Sequence, residues 1–180
     1  LTASSESFRL ILIIALHTGM RRGEILKLKW ADVDFKNRII TIQESKSGKK
    51  RMLPMDDTLW EALSLLPTRF QRGYVFPSPV REEQPRFDFT WPFRNAVEKA
   101  DIHNFRFHDL RHTFASHLVM SGVDLMTVKE LLGHATLTMT MRYSHLAPDH
   151  RMRAIKTLDF AYQTDTKTST VENAGKKQSR

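Results

Sequence analysis

Three segments of the chain carry side chains suited to chemistry on a phosphodiester. The segment LLGHATLTMTMRYSHL holds His134 and, nine residues later, Tyr143. HDLRH supplies His108 and Arg111, and TGMRRGE near the beginning of the chain supplies Arg21. Two arginines, two histidines and one tyrosine are the residue types needed to hold a phosphodiester without a metal and to attack it with a phenol.

In-line cleavage of a phosphodiester requires two non-bridging oxygens to be neutralised, a nucleophile to be activated and the leaving 5′ oxygen to be protonated. Arginine binds phosphate oxygens bidentately and keeps its charge, so Arg21 and Arg111 can clamp the phosphate from two sides. His108 and Arg111 are three residues apart, which places both on one face of a helix. Tyr143, with an ordinary pKa of about 10, needs cationic neighbours and a nearby base, and we expect the arginines and histidines to supply both.

A lysine at the tip of a predicted hairpin completes the set. Lys46 lies in the turn ESKSGK, from which a flexible cation can reach into the minor groove of DNA and protonate the leaving 5′ oxygen. We expect its neighbours Lys49, Lys50 and Arg51 to hold the DNA backbone.

Each residue alone also has an ordinary structural interpretation. Arg21 and Arg22 can be a solvated pair at the start of a helix, and Lys46 can be part of a polar turn. Tyr143 can be a core aromatic with its hydroxyl at the surface. The HDLRHTFASHL helix contains His108, His112 and His117. Each can be a surface or core histidine whose ring nitrogens already have ordinary hydrogen-bond partners.

Composition agrees with a single domain that binds a polyanion. The 180 residues are 41% hydrophobic, enough for a real core. Lys and Arg outnumber Asp and Glu by 28 to 20, for a net charge of +8, which suits nucleic acid but also an ordinary basic protein. Without cysteine, no disulfide or thiolate metal site is possible. The longest apolar run, residues 10–16, is too short to span a bilayer.

The first half of the chain predicts two helices, a hairpin and a third helix. Ser4 or Ser5 can cap a helix that carries Phe8, Leu12 and Ala15 on one face and ends near Thr18 and Gly19. Residues 22–29 continue as a helix with three inward side chains, Ile25, Leu26 and Leu28.

Strands at 38–43 and 50–55 form the predicted hairpin. Asp56 and Asp57 begin a helix that runs through Leu66 to Pro67, and residues 67–92 form a loop.

The second half predicts helices at 93–100, 108–121, 124–132, 136–145 and 148–162, broken by Gly122, Gly133 and Pro148. The break at Gly133 lets the ring of His134 lie close to a ligand. The fold class is therefore mainly α with a small antiparallel β-sheet (α+β). Residues 163–180 contain almost nothing apolar and predict a disordered tail.

Four segments resemble, in order and spacing, the catalytic domain of the tyrosine recombinase (phage integrase) family. They are TGMRRGEILKLKWADVDF, SKSGKKRMLPM, HDLRHTFASHL and LLGHATLTMTMRYSHL, and the resemblance extends over residues 17–146. The family pattern is an arginine after a TG pair, a lysine in the β-hairpin, an H-x-x-R box, a second histidine after a glycine, and a nucleophilic tyrosine nine residues on. All six positions carry the expected residue type.

The resemblance implies a catalytic domain of the DNA breaking-rejoining type at residues 1–162, with six active-site residues: Arg21, Lys46, His108, Arg111, His134 and Tyr143. It implies that Tyr143 becomes linked to a DNA 3′ phosphate while a 5′ hydroxyl leaves, and that a second strand's 5′ hydroxyl later attacks this link. The link conserves the bond energy, so we expect no cofactor, neither ATP nor a metal.

The resemblance also implies partners. Family members act on double-stranded DNA as tetramers that hold two duplexes, and the helix at 148–162 is the candidate for exchange between protomers. We expect the usual N-terminal core-binding domain to be absent from this chain. We further expect accessory or directionality proteins, no membrane, and a cytoplasmic, nucleoid-associated protein encoded by a bacterium, a phage or another mobile element.

Three other functions stay open at the level of sequence. A type IB topoisomerase shares the tyrosine, arginine and lysine chemistry, although the HDLRH and LLGHATLTMTMRY segments look more like the integrase versions. A metal-dependent hydrolase could use His108 and His112, which are four residues apart, but H-E-x-x-H is absent. A DNA-binding module without catalysis is the third alternative.

Overall fold

The computed structural model of the protein describes residues 3–43, 50–70, 72–78, 81, 84–85, 88–148 and 155–156. The chain divides into two units, Leu1–Ala147 and Pro148–Arg180. In the second unit only residues 148, 155 and 156 are described. The predicted helix at 148–162 and the predicted tail at 163–180 therefore lie almost entirely outside the described residues.

Helix α1 spans Ala3–Thr18, so it begins one residue before the first predicted capping serine. Its most buried hydrophobic side chains are Leu10, Ile11, Ile14 and Ala15. Of the residues predicted to share one face, Ala15 is buried, and Phe8 and Leu12 are half-buried and pack against the same core. The buried face is centred on Ile11 and Ile14 because α1 packs against two later helices, at Asp57–Ser64 and Asp109–Met120.

Helix α2 spans Arg22–Leu26 and is shorter than predicted. Its extension to residue 29 was wrong because the next backbone groups pair with a distant segment. The Val75 amide donates to the Leu28 carbonyl at 2.8 Å, and the Trp30 amide donates to the Gly73 carbonyl at 3.0 Å. The predicted burial of Ile25, Leu26 and Leu28 is confirmed.

The predicted hairpin is confirmed and belongs to a three-stranded antiparallel sheet, in the order β1-β2-β3. Strand β2 (Ile39–Ile42) pairs with β3 (Arg51–Pro54), with Ile40 opposite Leu53. Strand β1 (Val33–Asp34) pairs with the edge of β2 that lies opposite β3. Sequence patterning missed β1 because two residues are too few to show alternation. The tip of the hairpin, residues 44–49, lies outside the described residues.

Helix α3 spans Asp57–Ser64. The side chain of Asp56 caps it by accepting a hydrogen bond of 2.9 Å from the Leu59 amide, as predicted. The helix ends two residues before the predicted Leu66, and a 3-10 turn follows at Pro67–Phe70. In the part of 67–89 that the structure describes, the chain is otherwise irregular, in agreement with the predicted loop.

Four helices follow, at Thr90–Lys99 (α4), Asp109–Met120 (α5), Leu125–Leu132 (α6) and Thr138–Met141 (α7). Helix α4 begins three residues earlier than predicted, because Pro92 fits within a first turn. The single helix predicted at 136–145 was wrong: α7 is one turn long, and a separate 3-10 turn follows at Ser144–Leu146. The fold class, mainly α with a small antiparallel sheet, is confirmed.

Two groups of buried side chains form the core of the first unit. The larger joins α1, α2, the sheet and α3. The smaller contains Ala115 and Val119 of α5, Val128 and Leu132 of α6, and Tyr143. Among the described helices, none is both long and apolar enough to cross a membrane.

Candidate active site

Arg111 lies at the centre of the site, with 3% of its surface exposed. Its guanidinium donates to the Gly19 carbonyl at 2.6 Å and to the Leu132 carbonyl at 2.5 Å. These carbonyls stand at the carboxyl ends of α1 and α6, where backbone acceptors have no partner within the helix. Arginine has five N–H donors, so the two carbonyls orient the group and leave donors for a ligand.

The TG pair before Arg21 shapes the end of α1 around this guanidinium. The buried Thr18 hydroxyl donates to the Ile14 carbonyl at 2.5 Å and accepts from the Met20 amide at 3.2 Å. Gly19 has a φ of +60°, and a Cβ there would lie 2.5 Å from Cδ1 of Phe114. Only glycine fits this backbone and this close approach. Thr18 and Gly19 thus position the Gly19 carbonyl to accept the hydrogen bond from Arg111.

Glu24 joins two cations on one side of the site. One of its carboxylate oxygens accepts from the Arg21 amide at 2.8 Å, and the other accepts from the Arg21 side chain at 3.0 Å. The same carboxylate accepts two hydrogen bonds from Arg51, at 3.0 and 2.7 Å. Burial raises the pKa of Glu24, but hydrogen bonds and charge from Arg51 and Arg21 outweigh it and hold the pKa below its ordinary value.

Arg51 therefore has a structural role that differs from the predicted one. We expected it to hold the DNA backbone, but its side chain is 8% exposed, is paired with Glu24 and lies against Gly133. Its Nε atom is buried and has no hydrogen-bond partner among the described residues. Lys50, its neighbour in the chain, is exposed and keeps the predicted access to a ligand.

His134 follows Gly133, which ends α6 in the left-handed conformation with a φ of +64°. The predicted helix break is thus confirmed. Nδ1 of His134 lies 2.8 Å from the hydroxyl of the fully buried Thr140. Burial and then the charges of Arg111 and Arg21 lower the pKa of His134 from 6.5 to about 4, so its ring is neutral at pH 7.

Tyr143 is 5% exposed, and its ring packs in the smaller core. Its hydroxyl lies 2.6 Å from Nδ1 of His112. The interpretation as a core aromatic was right for the ring, but the hydroxyl is held by a histidine instead of standing open at the surface. Burial raises the pKa of Tyr143 above its ordinary value, and the cations Arg142 and Arg111 act in the expected, lowering direction without overcoming that rise.

His108 immediately precedes α5 and lies one turn before His112. The two rings meet edge to face, with centroids 5.0 Å apart. Burial, followed by the charge of Arg111, lowers the pKa of His108. Among the described residues no side chain forms a hydrogen bond with the His108 ring, so both of its nitrogens remain available to a ligand.

Five of the six predicted residues thus share one electrostatic environment. Burial and then the charge of Arg21 lower the pKa of Arg111 from 12.5 to about 10, and Arg111 in turn affects the pKa of each of three others, His108, His134 and Tyr143. A buried guanidinium whose pKa is lowered by neighbouring positive charge favours the binding of an anion. The sixth residue, Lys46, lies outside the described residues.

Sequence reasoning missed three residues of the site: Glu24, His112 and Thr140. Glu24 had a detectable signal, because an acid three residues after Arg21 at a helix start can turn back to it. His112 was noted only as a surface or core residue or a metal ligand. In the described part of the chain no group of three His, Asp or Glu side chains could hold a metal ion, so the predicted pair His108 and His112 has no third ligand there.

Comparison with known proteins agrees with this geometry. The model of the phage integrase family matches residues 2–150. The integrase of Salmonella phage P22 is 32% identical over 172 residues, which are 88% of this chain and 44% of that protein. The chain spans about half the length, or less, of the curated relatives it matches.

Two solved structures have similar folds. The catalytic domain of bacteriophage HP1 integrase aligns with a TM-score of 0.64 and 36% identity, over 85% of this chain and 83% of that one. The XerH site-specific recombinase, solved in a post-cleavage complex with palindromic difH substrate, aligns with a TM-score of 0.64 and 25% identity, over 88% of this chain and 48% of that one. The expected fold type is confirmed, and the chain belongs to the phage integrase family of tyrosine recombinases.

Proposed function

We propose that this chain is the catalytic domain of a site-specific DNA recombinase in which Tyr143 is the nucleophile. The observation that carries the proposal is the placement of the buried Arg111 among Arg21, His108, His134 and Tyr143. A phosphodiester is the anion that fits this set, because the site offers guanidinium forks for two non-bridging oxygens beside a phenol.

Arg21 and Arg111 clamp the phosphate. Arg111 is oriented by two backbone carbonyls and Arg21 by Glu24, so neither guanidinium has to be ordered when DNA binds, which lowers the entropic cost of binding. The neutral ring of His134 adds an N–H donor to a phosphate oxygen. The ring nitrogens of His108, which bond to no described side chain, are offered to the same ligand.

Cleavage then proceeds by in-line attack. The Tyr143 oxygen forms a bond to phosphorus while the bond from phosphorus to the 5′ oxygen breaks, which leaves a 3′ phosphotyrosine and a 5′ hydroxyl. Lys46 is proposed as the acid that protonates the 5′ oxygen. Attack by a 5′ hydroxyl from a second strand reverses these bond changes and rejoins the DNA, without ATP and without a metal in the proposed steps.

Duplex DNA is the proposed partner. A cavity of about 570 Å³ opens beside Arg21, lined also by Lys27 and Lys29, and one of about 480 Å³ opens beside His134, lined also by Lys50 and Lys129. These cations suit the backbone on both sides of the scissile phosphate. XerH, a protein of similar fold, was solved on its DNA substrate.

The assembly follows as part of the same proposal. The catalytic domain occupies residues 1–162, and residues 163–180 are a tail. The segment at 148–162 exchanges between protomers of a tetramer that holds two duplexes, and accessory proteins set the direction of the reaction. A protein of this kind acts in the cytoplasm of a bacterium, on the nucleoid, and is encoded by the host, a phage or another mobile element.

Covalent trapping tests the chemistry. The chain is incubated in EDTA with nicked duplexes whose sequence is randomised around the scissile phosphate and whose leaving 5′ oxygen is replaced by sulfur, so that the adduct accumulates. We expect a slow-migrating protein–DNA adduct after denaturation, and none with Tyr143→Phe, which removes the nucleophile and keeps the ring. Sequencing the trapped DNA identifies the preferred site.

The outcomes separate the alternatives. An adduct that forms equally with Tyr143→Phe, or that EDTA abolishes, would overturn the proposal. Once a site is known, exchange of strands between two labelled duplexes supports a recombinase, whereas relaxation of a supercoiled plasmid without exchange indicates a topoisomerase. Retention of DNA without an adduct indicates a binding module.

A further inference from the structure

The contact between His112 and Tyr143 links two distant parts of the chain at the atom that reacts. His112 lies on α5, directly after Arg111, and Tyr143 follows α7. Nδ1 of His112 and the phenolic oxygen are 2.6 Å apart, in a partly buried position. This is a short hydrogen bond for a neutral pair, and it points along the path by which the phenolic proton must leave.

We propose that His112 is the base that takes the proton from Tyr143 during cleavage and returns it during rejoining. The inference rests on the proposed function and assigns a role that neither the sequence motif nor the family resemblance gave to this residue. His112 touches the reacting oxygen, so the role is catalytic.

The electrostatic setting leaves each group of the pair in the protonation state from which the step must begin. Burial, followed by the charges of Arg142 and His108, lowers the pKa of His112, while Asp109 raises it and Arg111 lowers it further. The imidazole is therefore neutral at pH 7 and can accept a proton. Because burial raises the pKa of Tyr143, a phenolate is not present beforehand, and the proton has to move during the attack.

The other histidines of the site are less suited to this step. Nδ1 of His134 is already held by Thr140. The His108 ring meets His112 edge to face and makes no hydrogen bond to Tyr143. Among the residues that the structure describes, His112 is the side chain that forms a hydrogen bond with the phenolic hydroxyl.

The proposed step conserves atoms and charge. As the Tyr143 oxygen bonds to phosphorus, its proton passes to Nδ1 of His112, which becomes an imidazolium. The 5′ oxygen departs and takes a proton from the acid, proposed to be Lys46. In rejoining, the incoming 5′ hydroxyl gives a proton to that amine, and the imidazolium returns its proton to the phenolic oxygen as it leaves phosphorus.

The test measures how fast His112→Asn and His112→Ala form the adduct with the randomised nicked duplexes. Each variant is given duplexes with the natural 5′ oxygen and duplexes with sulfur in its place. The asparagine side chain can keep a hydrogen bond to the phenol near the position of Nδ1 but cannot accept its proton at neutral pH. His117→Asn, an exposed histidine on the same helix, is the matched control. The thermal unfolding midpoint of each variant shows whether it is folded.

We expect both His112 variants to form the adduct about 10²- to 10³-fold more slowly than the unaltered chain, and His117→Asn to keep its rate. Sulfur as the leaving atom needs no acid, so it should restore the rate of Lys46→Ala but not that of the His112 variants. The rate of the unaltered chain should fall only below pH 6.5, as His112 becomes protonated, and this fall should disappear in His112→Asn.

Several results would overturn the assignment. If folded His112→Asn cleaves within about threefold of the unaltered chain while His112→Ala does not, the contact only positions Tyr143. If sulfur restores the His112 variants, His112 assists the leaving group instead. If the unaltered chain forms no adduct, the proposed function fails and this inference fails with it.

Discussion

The hydroxyl of Thr140 lies 2.8 Å from Nδ1 of His134, and Thr140 is completely buried while His134 borders a cavity. The neutral imidazole carries one proton. We infer that the Thr140 hydroxyl donates to Nδ1, which places that proton on Nε2 and makes Nε2 a donor. On this inference Thr140 fixes both the orientation and the tautomer of His134.

Replacement of Thr140 by valine keeps the volume and removes the hydroxyl. We expect the adduct to form about 10- to 100-fold more slowly, the size of effect seen when partners that orient metal-bound histidines are removed. The free energy of unfolding should fall by roughly 1–3 kcal/mol, because Nδ1 is left without a partner. Thr138→Val, at an exposed position of the same helix, should change neither quantity. Equal rates for the two variants would mean that Thr140 does not orient His134.

Gly19→Ala should destabilise the protein by about 2–4 kcal/mol, because the added methyl meets Phe114 and Leu132 at 2.5 and 2.9 Å and the left-handed backbone disfavours alanine. Gly23→Ala is the matched control: Gly23 lies in α2, and a Cβ added there would meet no described atom within 4 Å. This change should stabilise by about 0.5–1 kcal/mol. Urea unfolding of both variants measures the difference, and similar midpoints would contradict the role assigned to Gly19.

How far the sequence predicted the site depends on the range of each interaction. Local signals were sufficient where neighbours in the chain decide the structure, as with the Asp56 cap, the break at Gly133 and the pairing of β2 with β3. They were insufficient where α5 meets later segments, because His112 and Tyr143 are 31 residues apart and periodicity does not show which side chains will meet.

The burial of Arg111 was likewise beyond sequence reasoning. The motif predicted a ligand-facing cation, and the structure shows a guanidinium held by two carbonyls that come from 92 residues before it and 21 residues after it. The boundaries of α2 and α7 were wrong for a related reason. Tertiary hydrogen bonds to residues 73 and 75 end one helix early, and the segment that carries Tyr143 turns as a separate 3-10 element.

Glu24→Gln should weaken the support of Arg21 and Arg51 together. The carboxylate and the Arg51 side chain are each 8% exposed, and loss of the charge from such a pair costs roughly 2–4 kcal/mol. Since the pKa of Glu24 is held below its ordinary value of 4.5, its contribution to stability is present above that value and is lost as the pH falls below it.

The stability difference between Glu24→Gln and the unaltered chain should therefore be largest near neutral pH and shrink in acid. Glu61→Gln, at an exposed position of α3, is the control and should leave the free energy of unfolding unchanged. A Glu24→Gln variant as stable as Glu61→Gln at neutral pH would show that the carboxylate does not hold the two arginines.

The pKa of His134 should respond when an anion binds to the site. Its pKa of about 4 in the free protein results from burial and from the charges of Arg111 and Arg21. A bound phosphodiester offsets those charges and raises the pKa of His134 toward 6.5, so binding takes up a proton. The affinity for the anion must therefore increase as the pH falls from the ordinary toward the depressed pKa.

Dimethyl phosphate is a suitable probe because its single charge does not change in this range. Its dissociation constant should decrease between about pH 7 and about pH 5, and the NMR titration midpoint of His134 should rise when it is added. The side chain of His103 is 81% exposed, and the NMR signals of its ring serve as an internal reference that should not move when dimethyl phosphate is added. In His134→Gln the pH dependence of binding should weaken sharply; a dependence that persists unchanged would place the proton uptake on another group, and an unmoved His134 midpoint would place the anion elsewhere.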